Sequence, residues 1–392
     1  MASTLVWIPV FVLFTRARFG LDGAVLLSSL YYLFVVVLEV PSGWMSDRLG
    51  RVLTLRIAAV SWLIAQTCYL LGNDRLAVIV IGQFFLAGGF ASLSGTDVTF
   101  HFDTLEALGR ADEYVQRQAR VSAVGFTATA LSAVIGGLVG LVDLRMAFVA
   151  SLVAAVAQLI TTMGMSEPPA SSRAEAFGAQ LRVCVSYLRD RYLGWIFFYG
   201  VALVTLEHVA VTLMQPWLTE VLGRGPNDVG ATPLFSGVVF AAASVVGALS
   251  ARVSAPLSER FGTPTTLVAL AALSATIVTS MALWVSAWVL ILVAFRSAQG
   301  AAAPVLISGA VAPRVMASHR ATLLSINSLA GRLGFGLFLC YLWARHTDDV
   351  SGVLGWFSIV AWTLVVILTV TAVIFTGDRP GLARSALRRG GR

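Results

Sequence analysis

The chain has 392 residues, of which 58% are apolar and only 12% are charged, and its formal net charge is +7. Soluble domains carry roughly 25% charged residues. The composition, with a mean hydropathy of +0.85, therefore excludes an ordinary soluble protein and predicts a helical protein that crosses a membrane many times. Every basic residue is an arginine, so no lysine is present for a nucleotide-binding phosphate loop. No nucleic-acid partner is expected, because no stretch interleaves basic and aromatic residues.

Apolar runs long enough to cross roughly 30 Å of hydrocarbon follow one another along the chain. They predict an all-α polytopic membrane protein with twelve transmembrane helices, at residues 2–15, 24–45, 53–72, 77–102, 119–141, 145–164, 194–217, 232–253, 265–284, 287–309, 321–343 and 352–375. The first helix is expected to be shortened, because the run before Arg16 corresponds to roughly 22 Å of helix.

A long polar connection between the sixth and seventh spans divides the chain into two halves. We expect a six-helix bundle at 1–165, a linker with a basic amphipathic stretch at 166–192, a second six-helix bundle at 193–376 and a basic tail at 377–392. Two related bundles of this kind are typical of transporters built from internal repeats.

The arginines are distributed unevenly between the two sides of the predicted bundle. The even-numbered connections and the C-terminal tail hold 19 arginines, whereas the odd-numbered connections hold 6. Positive residues collect on the cytoplasmic side of a membrane. The bias therefore predicts that both termini, the linker and the tail are cytoplasmic.

The most informative stretch, EVPSGWMSDRLGR at 39–51, closes the second span. Its glutamate, Glu39, follows an uncharged apolar run, and a carboxylate inside a membrane is costly unless a partner faces it. The turn that follows, SDRLG at 46–50, is matched by SERFG at 258–262, after the eighth span. Equivalent loops in equivalent places predict a repeat of the two halves.

The twelve spans in two halves, the long central connection and the pattern G-x-x-x-D-R-x-G-R resemble the major facilitator superfamily of secondary transporters. Gly43, Asp47, Arg48, Gly50 and Arg51 match the loop motif of that superfamily position by position. EVPSG, and SGTDVTFHFDTLEALGR at the end of span four, resemble a bacterial branch associated with drug or metabolite efflux. The resemblance implies a monomeric secondary transporter of the bacterial cytoplasmic membrane that works by alternating access without a cofactor.

Two features depart from the proton-coupled exporters of that superfamily. The arginine that they often carry in span four is missing from IGQFFLAGG, and the Gly-Pro pair of span five is missing from TALSAVIGGLVG. Span ten, in contrast, contains Arg296, Gln299 and Gly300 in the arrangement that span four lacks.

The resemblance implies that spans one, four, seven and ten line a central cavity. Glu207 in span seven and Arg296 in span ten lie at similar depth, so we expect a charge pair that binds substrate or protons, with Gln299 beside it. A static pair that only orients two helices is the alternative. His208 is a candidate proton relay, although adjacent helical positions point in different directions.

Asp97 and His101 are four residues apart in span four and therefore lie on one helical face. They form either a proton site reachable from the cytoplasm or a solvated structural pair. Aromatic residues on several spans are candidates for an amphipathic cavity lining or for packing: Trp7, Phe11, Tyr31, Phe84, Tyr199 and Trp217.

The resemblance also implies that spans two and eleven meet at the seam between the halves. Glu39 and Arg332 lie at similar depth on these spans, and we expect them to pair and to hold the outward-open form closed at its cytoplasmic side. Contact with the substrate is the alternative role of this pair.

We expect the charged turn to extend this latch. Asp47, Arg48 and Arg51 would take part, with Asp103 as the partner of one arginine, and the aspartate of the turn would cap the first turn of span eleven. Gly43 and Gly50 would let helix backbones approach each other.

These residues favour proton-coupled export of a hydrophobic or amphipathic small molecule. Proton-coupled uptake of an organic anion held by Arg296 is the first alternative, and a non-transporting receptor on the same fold is the second. An enzyme is not expected, because the four histidines are scattered and no metal-binding or nucleophilic cluster is visible. No metal site or disulfide is expected from the widely separated Cys68, Cys184 and Cys340.

Overall fold

The computed structural model describes residues 5–169, 177–224, 228–345 and 349–376. No β-strand occurs among these residues. The helices are α1 Phe11–Leu49, α2 Arg51–Leu71, α3 Leu76–Leu93, α4 Thr96–Ala107, α5 Tyr114–Gly140, α6 Leu144–Met163, α7 Phe177–Tyr187, α8 Arg191–Val221, α9 Thr232–Phe261, α10 Thr263–Leu283, α11 Val289–Val293, α12 Ser297–Val311, α13 Ala317–Ala344 and α14 Val350–Thr376. Short 3-10 helices at Ile8–Val10, Ala111–Glu113 and Ala294–Arg296 precede α1, α5 and α12.

Eleven helical segments among the described residues are long and apolar enough to cross a membrane. Helices α3 and α4 together form one of them, Leu76–Ala107, and α11 and α12 together form another, Val289–Val311. The prediction of an all-α polytopic membrane protein is confirmed. The eleven segments contain all twelve predicted spans, because the first two predicted spans belong to one 42-residue segment, Ile8–Leu49.

Helix α1 consists of two arms joined at Gly20, whose φ of 70° and ψ of −178° are not helical. Glycine adopts a positive φ without a Cβ clash. Phe11 of the first arm packs 5.7 Å from the ring of Tyr69, and Leu27 of the second arm accepts a hydrogen bond from Gln83, which itself accepts one from Tyr69. The chain therefore folds back at Gly20. The predicted separate, shortened first helix is instead the first arm of α1.

The helices run between two faces, which we name after the two turns of α1. The Gly20 face holds the turn at Gly20 and the connections α2–α3 and α5–α6. The Gly50 face holds the turn at Gly50 between α1 and α2, where φ is 110°, and the connections α4–α5 and α9–α10.

Two hydrophobic cores divide the protein. One is built from buried residues between Val6 and Ala155. The other is built from residues between Cys184 and Ala372, together with Leu21 and Val25 of α1. The predicted domain bounds stay predictions. Residues 170–176 of the predicted linker and the whole predicted tail lie outside the described residues.

The two halves touch closely near the Gly20 face and separate towards the Gly50 face. A Cβ atom at Gly137 of α5 would lie 2.6 Å from the carbonyl oxygen of Pro233, and one at Gly237 of α9 would clash with the carbonyl of Ala133. These helices therefore meet backbone to backbone at positions without side chains. Towards the Gly50 face, in contrast, every residue of α5 from 119 to 124 is exposed, whereas a packed helix hides one side.

Candidate functional site

A central cavity between the two halves consists of two adjacent lobes that share Tyr31, Tyr32, Phe90 and His208. The apolar lobe has a volume of about 310 Å³, and its other lining residues include Trp7, Phe11, Gln83, Gln215 and Phe240. The polar lobe has a volume of about 340 Å³, and its other lining residues are Val35, Leu93, Ser94, Asp97 and Arg332. These volumes suit a small organic molecule.

Helical spacing explains why these side chains converge. Helix α8 contributes His208, Thr212 and Gln215 to the apolar lobe, and positions i, i+4 and i+7 share one helical face. Across the cavity, α3 contributes Gln83 and Phe90, which are two turns apart. The cavity is therefore lined by one face of each helix.

Three of the six predicted aromatic residues line the apolar lobe, namely Trp7, Phe11 and Tyr31. Tyr199 and Trp217 are fully buried, and each donates a hydrogen bond to a backbone carbonyl of α10. Phe84 is 40% exposed, so its ring does not belong to the cavity. The sequence alone did not distinguish the aromatic residues that line the cavity from those that lie elsewhere.

The predicted pair of Glu207 and Arg296 lies outside both lobes. The two residues line a separate small cavity with Leu206, Ala210, Ser274 and Ile277. No ion pair within 4.0 Å joins them in the described part of the chain, so the expected close contact is not formed. The Glu207 carboxylate packs against Gly300 so closely that a Cβ atom there would clash with it.

Arg296 is only 5% exposed. Its guanidinium carbon lies 4.4 Å from the centroid of the Phe240 ring, which is a cation–π distance. Among the described residues its Nε atom has no hydrogen-bond partner. Arg296 therefore lies behind Phe240, away from the central cavity.

Gln299 does not face the central cavity either. The side chain is completely buried, donates to the hydroxyl of Tyr199 at 3.1 Å and accepts from the hydroxyl of Ser274 at 2.5 Å. Because both ends of the amide are satisfied inside the second half, Gln299 joins α8, α10 and α12. Gln299 lines neither lobe of the central cavity, and its role in substrate binding stays a prediction.

His208 lines both lobes of the cavity, unlike its neighbour Glu207. Its ring centroid lies 5.5 Å from that of Tyr32 and 5.6 Å from that of Phe335, and Nδ1 lies 2.8 Å from the carbonyl oxygen of Val204. The helix thus directs the imidazole, and not the carboxylate, towards the centre.

Asp97 and His101 do not act on the same surface. Asp97 lines the polar lobe, and its Oδ1 accepts a hydrogen bond from the Val98 amide at 2.8 Å. His101 lies 2.7 Å from Gln118 of α5 through Nδ1 and packs against Tyr114. His101 therefore joins α4 to α5, and only Asp97 is available to a cavity ligand.

Glu39 and Arg332 meet, and their contact crosses between the halves. Arg332 Nη1 donates to Glu39 Oε2 at 2.6 Å, and Ser94 donates to the other carboxylate oxygen at 3.3 Å. The two side chains are 17% and 30% exposed. We call this contact the ionic crossing. It is formed while the Gly20 ends of α5 and α9 are in contact.

The charged turn lies entirely within the first half. Arg51 donates to Asp47 at 2.5 Å and to Ser46 at 3.0 Å, and its Nε lies 3.5 Å from Asp103. The expectation that Asp103 pairs with an arginine of the turn is met by Arg51. Arg48 is exposed. These contacts do not extend the latch to the second half, and Asp47 pairs within its own turn instead of capping α13.

Gly43 is exposed, with open space where a Cβ atom would lie, so its predicted role in close backbone approach is wrong. Gly50 does allow a close approach, but of a side chain. Glu167, in the predicted linker, accepts from the amides of Arg51 at 2.6 Å and Val52 at 2.8 Å, and a Cβ atom on Gly50 would lie 2.9 Å from it. Its carboxylate caps the start of α2. This role of Glu167 was not predicted, although an acidic residue directly after span six was a usable signal for it.

Gln215 of α8 joins the halves near the Gly20 face. Its side-chain oxygen accepts from the amides of Val12 and Leu13 at 3.0 and 3.2 Å, and its nitrogen donates to the carbonyl of Ile8 at 2.7 Å. We call these three hydrogen bonds the amide clamp. The role of Gln215 was not predicted, although a glutamine directly before a proline in an apolar span was a usable signal for a buried polar contact.

Within the described residues, no group of three or more His, Cys, Asp or Glu side chains is placed to hold a metal ion.

The fold resembles those of solved transporters along nearly its whole length. The nucleoside transporter NupG has 13% identity and a TM-score of 0.73 over 94% of this chain and 96% of its own. An auto-inhibited peptide transporter of the POT family has 13% identity and a TM-score of 0.71, covering 94% of each chain.

A bacterial homolog of the human lysosomal transporter Spinster, in an inward-facing and unoccupied conformation, has 16% identity and a TM-score of 0.62 over 97% of this chain and 96% of its own. At these identities the likeness concerns the fold. No protein of curated function matches the chain in sequence. The sequence profile of the Major Facilitator Superfamily matches residues 1–339. This multi-pass membrane protein has the transporter fold of that group, and the chain belongs to the Major Facilitator Superfamily.

Proposed function

We propose that the protein exports a hydrophobic or amphipathic small molecule by alternating access, in exchange for protons. The observation that carries this proposal is the two-lobed cavity between the halves, which is closed at the Gly20 face and lies on the open side of the α5–α9 contact. Rocking of the halves about this cavity would expose it to each face in turn.

The orientation of the proposal comes from the arginines. If the 19 arginines of the even-numbered connections and tail mark the cytoplasmic side, then the Gly50 face and both termini are cytoplasmic, and the described conformation faces inward. The proposed setting is the bacterial cytoplasmic membrane, with the protein as a monomer.

The substrate class is supported by the contrast between the lobes. Trp7, Phe11 and Phe240 give one lobe an aromatic surface, whereas Asp97 and Arg332 give the other lobe charge. A molecule with an apolar body and a polar end would satisfy both surfaces.

Proton coupling is proposed through Glu207 and His208. The two lie next to each other on α8, one facing the small cavity that holds Arg296 and the other facing the central cavity. A carboxylate that meets an arginine in one conformation and leaves it in the other changes its proton affinity. We propose that the Glu207–Arg296 contact, absent in this conformation, forms when the Gly20 face opens.

Uptake of an organic anion receives less support. That alternative needs the Arg296 guanidinium in the substrate cavity, and Arg296 lies behind Phe240. A non-transporting receptor has no specific observation in its favour.

The experiment is flux of a fluorescent amphipathic dye in proteoliposomes with an imposed pH gradient. We expect gradient-driven transport in the wild type, its loss in Glu207→Gln, and unchanged transport in Glu106→Gln, which alters an exposed carboxylate of α4. Gradient-driven transport that survives in Glu207→Gln would refute the coupling role. No flux or counterflow of any tested solute by folded protein would favour the receptor.

A further inference from the structure

We infer that the polar lobe is a binding site for an organic cation, with Asp97 as the counter-ion and the aromatic side chains shared by the lobes as its walls. The substrate class is an amine that bears an aromatic or aliphatic body. This inference rests on the proposed function, because it specifies the molecule that the cavity would carry.

The charge balance of the polar lobe favours a cation. The charged side chains that line it are Asp97 and Arg332. Arg332 is already engaged with Glu39 at 2.6 Å, so this arginine and this glutamate neutralise each other. No cation of the described residues lies within 4.0 Å of the Asp97 carboxylate. Among the described side chains, the lobe therefore presents one negative charge that no cation pairs with.

The walls of the polar lobe include aromatic rings. Tyr31 packs edge-on to Tyr32 and to Phe90, with ring centroids 5.1 and 6.1 Å apart, and all three rings line both lobes. The faces of aromatic rings attract ammonium groups and repel anions. A cation near Asp97 would thus be flanked by rings, while its apolar body would enter the lobe lined by Trp7 and Phe240.

The polar lobe disfavours an anion. An anion in the polar lobe would have to compete with Glu39 for Arg332 and would approach Asp97 against repulsion. The buried Arg296 is separated from the cavity by the Phe240 ring. His208 carries at most one further positive charge, and its Nδ1 already contacts the Val204 carbonyl.

The test compares three ligands with the same body and different ends: phenylbutylammonium, phenylbutanol and phenylbutyrate. Binding to the purified full-length protein is titrated by tryptophan fluorescence, since Trp7 lines the apolar lobe, and by the shift of the thermal unfolding midpoint. We expect the ammonium to bind roughly tenfold more tightly than the alcohol, because a charged partner contributes about 1.5 kcal/mol or more. The carboxylate is expected to bind most weakly.

Two substitutions at Asp97 locate the effect. Asp97→Asn should make the ammonium and the alcohol bind equally, whereas Asp97→Glu should keep most of the difference. Glu106→Gln on the same helix, outside both lobes, serves as the matched control and should leave the order of the three ligands unchanged.

Tighter binding of the carboxylate than of the ammonium by the wild type would overturn the inference, as would no binding of any of the three. An ammonium preference that survives in Asp97→Asn would equally overturn it. The wild-type comparison needs no variant, so a poorly folding Asp97→Asn does not weaken the test. Flux is measured separately. Transport of another solute by protein that rejects the ammonium overturns only the inference, whereas ammonium binding without any flux leaves the site and removes the proposed function.

Discussion

The ionic crossing and the amide clamp both join the two halves, but they do so with different chemistry. The ionic crossing joins two partly exposed charged side chains at the edge of the cavity. The amide clamp lies near the Gly20 face, where the 2% exposed Gln215 satisfies three backbone groups of the α1 region. Water replaces the partners of an exposed ion pair at little cost, whereas buried backbone groups lose their partners at high cost. The amide clamp, which carries no charge, therefore holds the halves together more strongly than the ionic crossing.

Loss of the amide clamp should have the largest effect. Gln215→Ala removes the hydrogen bonds to the amides of Val12 and Leu13 and to the carbonyl of Ile8, which costs about 3 kcal/mol at roughly 1 kcal/mol for each hydrogen bond. The population open at the Gly20 face should rise roughly a hundredfold. The measurement is the distance distribution between spin labels at Val142 and Asp228.

Gln66→Ala is the matched control for that variant. Gln66 is also 2% exposed, but it belongs to α2, and among the described residues its side chain forms no hydrogen bond to the second half. An equal change of the label distances in both variants would mean that Gln215 acts only through general stability. It would remove the contrast between the amide clamp and the ionic crossing.

A smaller opening of the same face is expected from Gly137→Ala. The added Cβ atom would lie 2.6 Å from the Pro233 carbonyl oxygen, and such overpacking costs roughly 1–2 kcal/mol. The labels at Val142 and Asp228 should move in the same direction as in Gln215→Ala. Gly309→Ala, where the Cβ atom meets open space, should leave the distances unchanged. Unchanged distances in Gly137→Ala would contradict the close contact of α5 and α9.

Breaking the ionic crossing should have a weaker effect that depends on salt. Glu39→Gln removes a partly exposed pair that contributes about 0.5 kcal/mol, a roughly twofold change in population. Spin labels at Trp44 and Met316 should report a wild-type distribution that changes between low and high salt and a variant distribution that does not. Exchange of the charges in Glu39→Arg with Arg332→Glu should restore the salt dependence. A population change in Glu39→Gln larger than that in Gln215→Ala would mean that the ionic crossing holds the halves more strongly than the amide clamp.

The smallest effect is expected at a charged cluster that joins no halves. Glu113 lies outside the membrane-spanning segments and accepts hydrogen bonds from Arg110 and Arg117, and these arginines lower the pKa of its carboxyl from 4.5 to about 2. Because the pKa is depressed in the folded protein, the stabilisation is complete above pH 4.5 and is lost as the pH falls towards 2.

The measurement is the thermal unfolding midpoint between pH 6 and pH 3, which should fall slightly more in the wild type than in Glu113→Gln. The distances at both faces should follow the same pH dependence in the two proteins. A change in those distances caused by Glu113→Gln alone would show that charges outside the crossings also control the balance.

The sequence predicted which residues lie at the same depth in the membrane and can therefore pair. It did not predict contacts that depend on how a helix is rotated about its axis. Glu39 with Arg332, and Asp103 with an arginine of the turn, could be paired because depth grows linearly along a helix. The directions of Glu207 and His208 could not, because the rotation of α8 is set by packing against other helices. Gln215 was not predicted because a neutral amide carries no charge to mark its place in the membrane. Glu167 was not predicted because it lies in the linker, outside every predicted helix.

The turn at Gly20 decides more than the shape of α1. A straight helix over the 42 residues from Ile8 to Leu49 would measure roughly 63 Å, about twice the thickness of the hydrocarbon layer. Because the chain reverses at Gly20 after the first arm, this glycine determines the direction in which the second arm crosses the membrane. It thereby determines the direction in which every later helix crosses. The side on which each arginine-rich loop emerges is therefore set at a position that carries no charge.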